Sequence, residues 1–221
     1  MEANLGVQRI SFDLEEIEYR YFGNQLIDFE QTSLDSREPL NFASVSLALV
    51  GDNSNSAFTS PVSGGRYRLE VGQAVGTKNF TSVVTDIRRY LSPSNNITFA
   101  ARGLHFGRYG KNLDPDRVTA SIQPYFLGYE TFIRGYSYES FNGQSGADEC
   151  AASALDPGAV LGSCPGFDRL FGHRLGVVNL EFRVPLLGTP RFGIISFPYL
   201  PTEVFGFADA GVAFNDFSNV R

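Results

Sequence analysis

At 221 residues and a net charge of −6, the chain is long enough for one sizeable domain and lacks the basic footprint that nucleic-acid binding requires. Phe (20), Tyr (10) and Gly (23) are abundant, Trp is absent and charged residues make up only 19%, a balance typical of β-structure with many turns. No apolar run reaches the ~18 residues of a transmembrane helix, a criterion that short alternating barrel strands escape in any case.

The N-terminus, "MEANLGVQRI", lacks the basic start and apolar stretch of a signal peptide. Either the chain stays in the cytoplasm or its true beginning lies upstream. The C-terminus, "GFADAGVAFNDFSNVR", stops just after a strand-like run, so both ends read as cut. Between them, period-2 alternation predicts strands near 6–20, 40–50, 64–75, 79–91, 96–109, 174–185 and 203–214. The acidic patch "DLEEIEYRY" carries no sustained apolar stripe, and no helix is predicted. Turn signals fall at "GDNSNS" (51–56) and "SPSNN" (92–96), and there is no internal repeat or low-complexity tract.

Alternation also assigns faces. In "VVNLEFRVP", Val178, Leu180, Phe182 and Val184 share one face, and Asn179, Glu181 and Arg183 the other. Tyr67, Leu69 and Val71 oppose Arg66, Arg68 and Glu70, while Val83, Thr85 and Ile87 oppose Asp86 and Arg88. Likewise Ile97, Phe99 and Ala101 oppose Thr98, Ala100 and Arg102. A soluble β-sandwich would bury the apolar face and wet the charged one, whereas a membrane barrel would turn the apolar face to lipid and the charges to its lumen. Alternation alone favours the sandwich, since such domains are common. Strand length and loop asymmetry favour the barrel: several runs reach ~10 residues, and connections range from "SPSN" to the whole segment 110–173.

That long segment contains "YFLGYETFIRGYSYESFNGQ" (125–144), too aromatic to remain unpacked. Within it stands Arg134, followed by Gly135, which would let the backbone turn tightly. An arginine carried onto a charged barrel wall needs carboxylates to offset its desolvation. Glu181 and Asp209 have the lumen parity, and a planar guanidinium serves two carboxylates better than a lysine does. Gly211, beside Asp209, would allow a neighbouring side chain to approach closely.

Cys150 and Cys164 lie in the same long segment, with no Cys-x-x-Cys and no histidine at metal-ligand spacing. A disulfide between them in an oxidising compartment and two free thiols both remain open readings. Asp148, Glu149 and Asp168 nearby read as a solvated loop rather than a cation site. No metal or cofactor is implied. An outer-membrane enzyme finds little support, because a serine nucleophile needs a base, only His105 and His173 are available, and no G-x-S-x-G is present.

"FIRGY" resembles the arginine-glycine-aromatic signature in the long sixth extracellular loop of the outer-membrane assembly-factor superfamily, which includes BamA-like insertases, TamA-like factors and two-partner secretion translocases. "NLEFRVPLL" resembles the strand after that loop, and "FGFADAGVAF" the next strand with its aspartate-x-glycine signature. "TSPVSGGRYRLEVG" and "ARGLHFGRYG" resemble other parts of the same barrel. Ile133 stands where valine is usual.

The resemblance implies an all-β, antiparallel transmembrane barrel of the sixteen-stranded type, here a partial barrel of about seven strands. Residues 1–221 would then belong to one barrel domain, with 110–173 the inward-folded extracellular loop. The three closing strands, roughly the first six strands and the POTRA domains would lie outside these residues, and the open edges would invite misassembly. It implies that Arg134 docks in the lumen on Glu181 and Asp209, with Gly135 and Tyr136 completing the motif. It further implies a place in the outer membrane of a Gram-negative-type envelope and contact with its lipid. Unfolded barrel or secreted proteins would be the clients, beside accessory assembly subunits, with no covalent chemistry. A soluble β-sandwich binding module is the alternative.

Overall fold

The computed structural model describes residues 1–11, 14–22, 25–34, 39–57, 59–111, 113, 121–135 and 168–215, of which 14–22 and 25–34 as backbone only. Seven long strands form one continuous antiparallel sheet: β1 (Glu2–Ile10), β4 (Leu40–Asp52), β6 (Pro61–Gly76), β7 (Phe80–Ser94), β8 (Ile97–Tyr109), β11 (Arg174–Gly188) and β13 (Thr202–Phe214), neighbours in that order. The sheet is open, with β1 and β13 at its two edges. The last six of these strands run 13 to 16 residues, beyond the ~9–11 that cross a bilayer when tilted.

The first predicted strand, 6–20, is divided. It becomes β1 and a separate strand β2 (Leu14–Phe22), and β2 pairs with a strand absent from the sequence reading, β3 (Gln25–Leu34). Ile10 faces Leu40 and Leu14 faces Leu34, so both ladders pair the same two chain segments. Alternation does run through "LEEIEYRYF", with Ile17, Tyr19 and Tyr21 between Glu16, Glu18 and Arg20, whereas in "QLIDFEQTSL" it lasts only to Glu30 before a polar run at 31–33; the backbone pairing of β2 with β3 defines that hairpin. Short pieces complete the elements: β5 (Asn55–Ser56) on β6, β9 (Tyr125–Phe126) on β10 (Phe171–Gly172), and β12 (Ile195–Ser196) in parallel on the end of β11.

Register brings like faces together. Leu49 faces Leu69, Val71 faces Val83, Leu180 faces Ala101 and Phe182 faces Phe99. The resulting apolar face is bare: Leu47 is 65% and Val71 57% exposed, and Ile87, Phe99, Val178, Leu180 and Val204 lie open beside them. Soluble monomers rarely expose a contiguous apolar surface of this extent; such a face marks a membrane or protein contact. The sandwich reading needs a second sheet over it, and among the described residues none lies there. The cover is instead on the opposite, charged face. Leu127, Phe132, Ile133 and Leu170 of the long connection pack there against Leu104, Phe106, Leu175 and Val177, and Leu175 is fully buried. Among the described residues, the main buried cluster is therefore the seam between this connection and the sheet.

Candidate functional site: an arginine clamped on the charged face

The segment carrying Arg134 is anchored at both ends before it reaches the wall. β9 and β10 close it, the Leu127 amide donates to the Leu170 carbonyl at 2.9 Å, and Phe126 stacks on Phe171 with centroids 4.8 Å apart. A single helical turn follows, in which the Phe132 and Ile133 amides donate to the Tyr129 carbonyl at 2.9 and 3.0 Å. Aromatic residues in the described part of the stretch go into this packing: Phe106 meets Tyr125 and Phe132 at 6.0 and 5.8 Å. Wall side chains hold the free carbonyls. Arg102 donates to Thr131 at 3.2 Å, Arg108 to Gln123 at 2.8 Å, and Asn179 to Phe132 at 2.8 Å.

Arg134 stands at the end of that turn. Its Nε and Nη2 donate to the two oxygens of Asp209 at 2.8 and 2.7 Å, a bidentate fork, and its own amide adds a third bond to Asp209 Oδ2 at 3.0 Å. Nη1 pairs with Glu181. The guanidinium also lies over the Phe207 ring, 4.2 Å from its centroid. Sheet register explains why one arginine reaches both acids. Asn179 faces Asp209 and Glu181 faces Phe207, so Glu181 and Asp209 are diagonal neighbours on one face, a separation of ~7–8 Å that a guanidinium spans. Asp209 is the most enclosed partner, its side chain 2% exposed against 27% for Arg134. Hydrogen bonding to Asp209, and then to Glu181, raises the Arg134 pKa above its already high ordinary value, so the guanidinium stays charged.

Gly135 has φ of +85°, a conformation that a side chain disfavours. At Gly211 a Cβ would come within 2.8 Å of Leu127 Cδ1 and 2.9 Å of Ile133 Cδ1, so its bareness seats the loop against β13. We expect Gly211→Val to lift the loop at a cost of about 1–3 kcal/mol. Limited trypsin digestion of the folded full-length protein should then cut after Arg134, which it spares in the wild type. Tyr136, Cys150 and Cys164 lie outside the described residues.

Several wall residues went unnamed by the sequence reading as partners. Arg183 donates to Glu181 at 2.6 Å through Nε, so Glu181 is held between two arginines. Asp86 accepts from Arg88 at 2.8 Å and from Arg102 at 2.9 Å. Strand parity placed all of them on the charged face; what it lacked was the strand order that makes them neighbours. His105 sits on the apolar face, bonded to the Leu175 carbonyl and the Tyr109 hydroxyl, each at 2.8 Å.

An open antiparallel sheet of membrane-spanning length, apolar on one side and charged on the other, with an arginine-tipped loop laid on its charged side, is the architecture of a β-barrel wall with an inserted loop. A family model described as the Omp85 superfamily domain matches residues 1–220, and the chain belongs to that superfamily. Its members are outer-membrane proteins concerned with inserting proteins into that membrane or moving them across it. No curated protein and no solved structure matches the chain.

Proposed function

We propose that this chain supplies barrel wall and lumen loop to an outer-membrane insertase or translocase of a Gram-negative-type envelope, acting on unfolded β-barrel or secreted proteins. The observation that carries the reading is Arg134 held by Asp209 and Glu181 on the face opposite a bare apolar one. In this reading 110–173 is the extracellular loop folded into the lumen, and lipid covers the face of Leu47, Val71 and Leu180. The work is mechanical. Strand addition at an exposed backbone edge needs a wall of fixed shape, and the clamp sets that shape by tying the loop to two adjacent strands. Accessory subunits and the choice of client would be read by parts of the protein away from this clamp.

Fractionation of cells expressing the full-length protein tests the reading. The protein should appear in the outer-membrane fraction, require detergent for extraction, and migrate differently on gels before and after heating. Release without detergent would overturn the proposal in favour of a soluble binding module.

A further inference from the structure

The second device on the charged face lies at the end of the sheet remote from the long loop. β4 and β6 are joined there by residues 53–60, the same end as the β7–β8 turn and the β11–β13 connection. This hairpin tip does not continue the sheet. Thr59 Oγ1 donates to Glu203 Oε2 at 3.0 Å and Ser60 Oγ to the same oxygen at 2.8 Å, while Arg183 Nη1 donates to the Pro61 carbonyl at 3.4 Å. Glu203 and Arg183 belong to β13 and β11, and β7 and β8 stand between β6 and β11. Four strand spacings of about 4.8 Å put β6 and β13 about 19 Å apart along the sheet, so the tip reaches them only by crossing the charged face.

The crossing is built into the hairpin. Asn55 pairs with Ser63 but Ser56 with Pro61, an irregularity that re-aims the strand end. Gly64 follows with φ of +86°, where a Cβ would lie 2.2 Å from the Asn53 carbonyl oxygen, so only glycine fits. The Asn53 side chain accepts from the Gly65 amide at 2.9 Å, Asp52 accepts from the Ser54 amide at 2.9 Å, and the Ala57 amide donates to Ser60 at 2.9 Å. A tip with this many internal bonds arrives preformed, and its two hydroxyls supply donors to a carboxylate that Arg183 Nε approaches only at 3.9 Å.

We infer that residues 53–57 and 59–61 belong to a latch across the loop-remote end of the lumen, fastened by Thr59 and Ser60 to Glu203. The latch is tied to the loop clamp, because Arg183 bonds both Glu181, the partner of Arg134, and Pro61 of the latch. The lumen is thus braced from both ends, and passage of a polypeptide through it requires the latch to release. This inference rests on the barrel reading above.

Hydrogen exchange followed by mass spectrometry on the full-length protein in lipid tests it. Amides of 53–57, 59 and 60 should be protected in the wild type and exchange about tenfold faster in the Thr59→Val/Ser60→Ala double variant, which deletes both donors to the charged acceptor. The Glu203→Gln variant should move the same amides in the same direction, with β7 and β8 unchanged in both. Wild-type amides that exchange as fast as unstructured peptide, or variant amides that exchange no faster than wild type, would overturn the latch. A protein extracted without detergent would instead sink the barrel reading itself, so the two failures are told apart.

Discussion

Replacing Arg134 with alanine is expected to destabilise the folded protein by about 3–5 kcal/mol, the cost of stripping the partner from an enclosed acid. Three of its bonds go to Asp209, whose side chain is only 2% exposed while the guanidinium covers it, so the substitution strips this acid of the donors that enclose it. The amide of residue 134 would survive the substitution and retain part of the loop's attachment, which separates this variant from deletion of the loop. Arg134→Lys keeps the charge and loses the fork; it reaches one carboxylate as a point charge and should recover less than half of the deficit. The checks are the steady-state level of the heat-modifiable species and the denaturant midpoint of the lipid-folded protein. Wild-type values for Arg134→Ala would contradict the clamp.

Asp209→Asn should cost about 2–3 kcal/mol with the shape of the side chain unchanged. The amide presents one acceptor where Arg134 requires two, and turns its own donors toward the guanidinium. Asp209 also lies opposite Asn179, so the strained pair sits in the β11–β13 ladder itself. The loop should therefore become protease-sensitive at Arg134 while the strands from β4 to β8 keep their exchange protection. Glu181→Gln should be milder, because Arg183 remains beside Glu181 to share the position and Asp209 retains Arg134. An order of effects in which Glu181 outweighs Asp209 would mean that the fork has been assigned to the wrong acid.

The strands from 40 to 109 and from 174 to 214 are legible because their apolar and charged residues alternate, as in "RYRLEVG" and "VVNLEFRVP". Because alternation resumes in Ile17, Tyr19 and Tyr21, the reading merged β2 into its predecessor, and it missed β3, where the polar run at 31–33 cuts the pattern short. For the clamp, parity put Glu181 and Asp209 on one face, and the motif resemblance named Arg134 as what lies between them. Parity carries no information about which strand pairs with which. The Arg183–Glu203 neighbourhood and the crossing of the 53–61 tip were therefore invisible until β11 was seen paired with β13 and the tip seen turned inward. Tyr136 and the cysteines stay where the sequence left them, as expectations.

The most direct test of the central claim, that the loop is held on the wall by Arg134 and Asp209, is a double-mutant cycle. Arg134→Ala, Asp209→Ala and the combined variant would be compared by denaturant unfolding of the lipid-folded full-length protein. The account predicts strong non-additivity, a coupling of about 2–3 kcal/mol, with the double variant little worse than the worse single one. Effects that add to within about 0.5 kcal/mol would mean that the two residues act independently, and the clamp as described would be wrong.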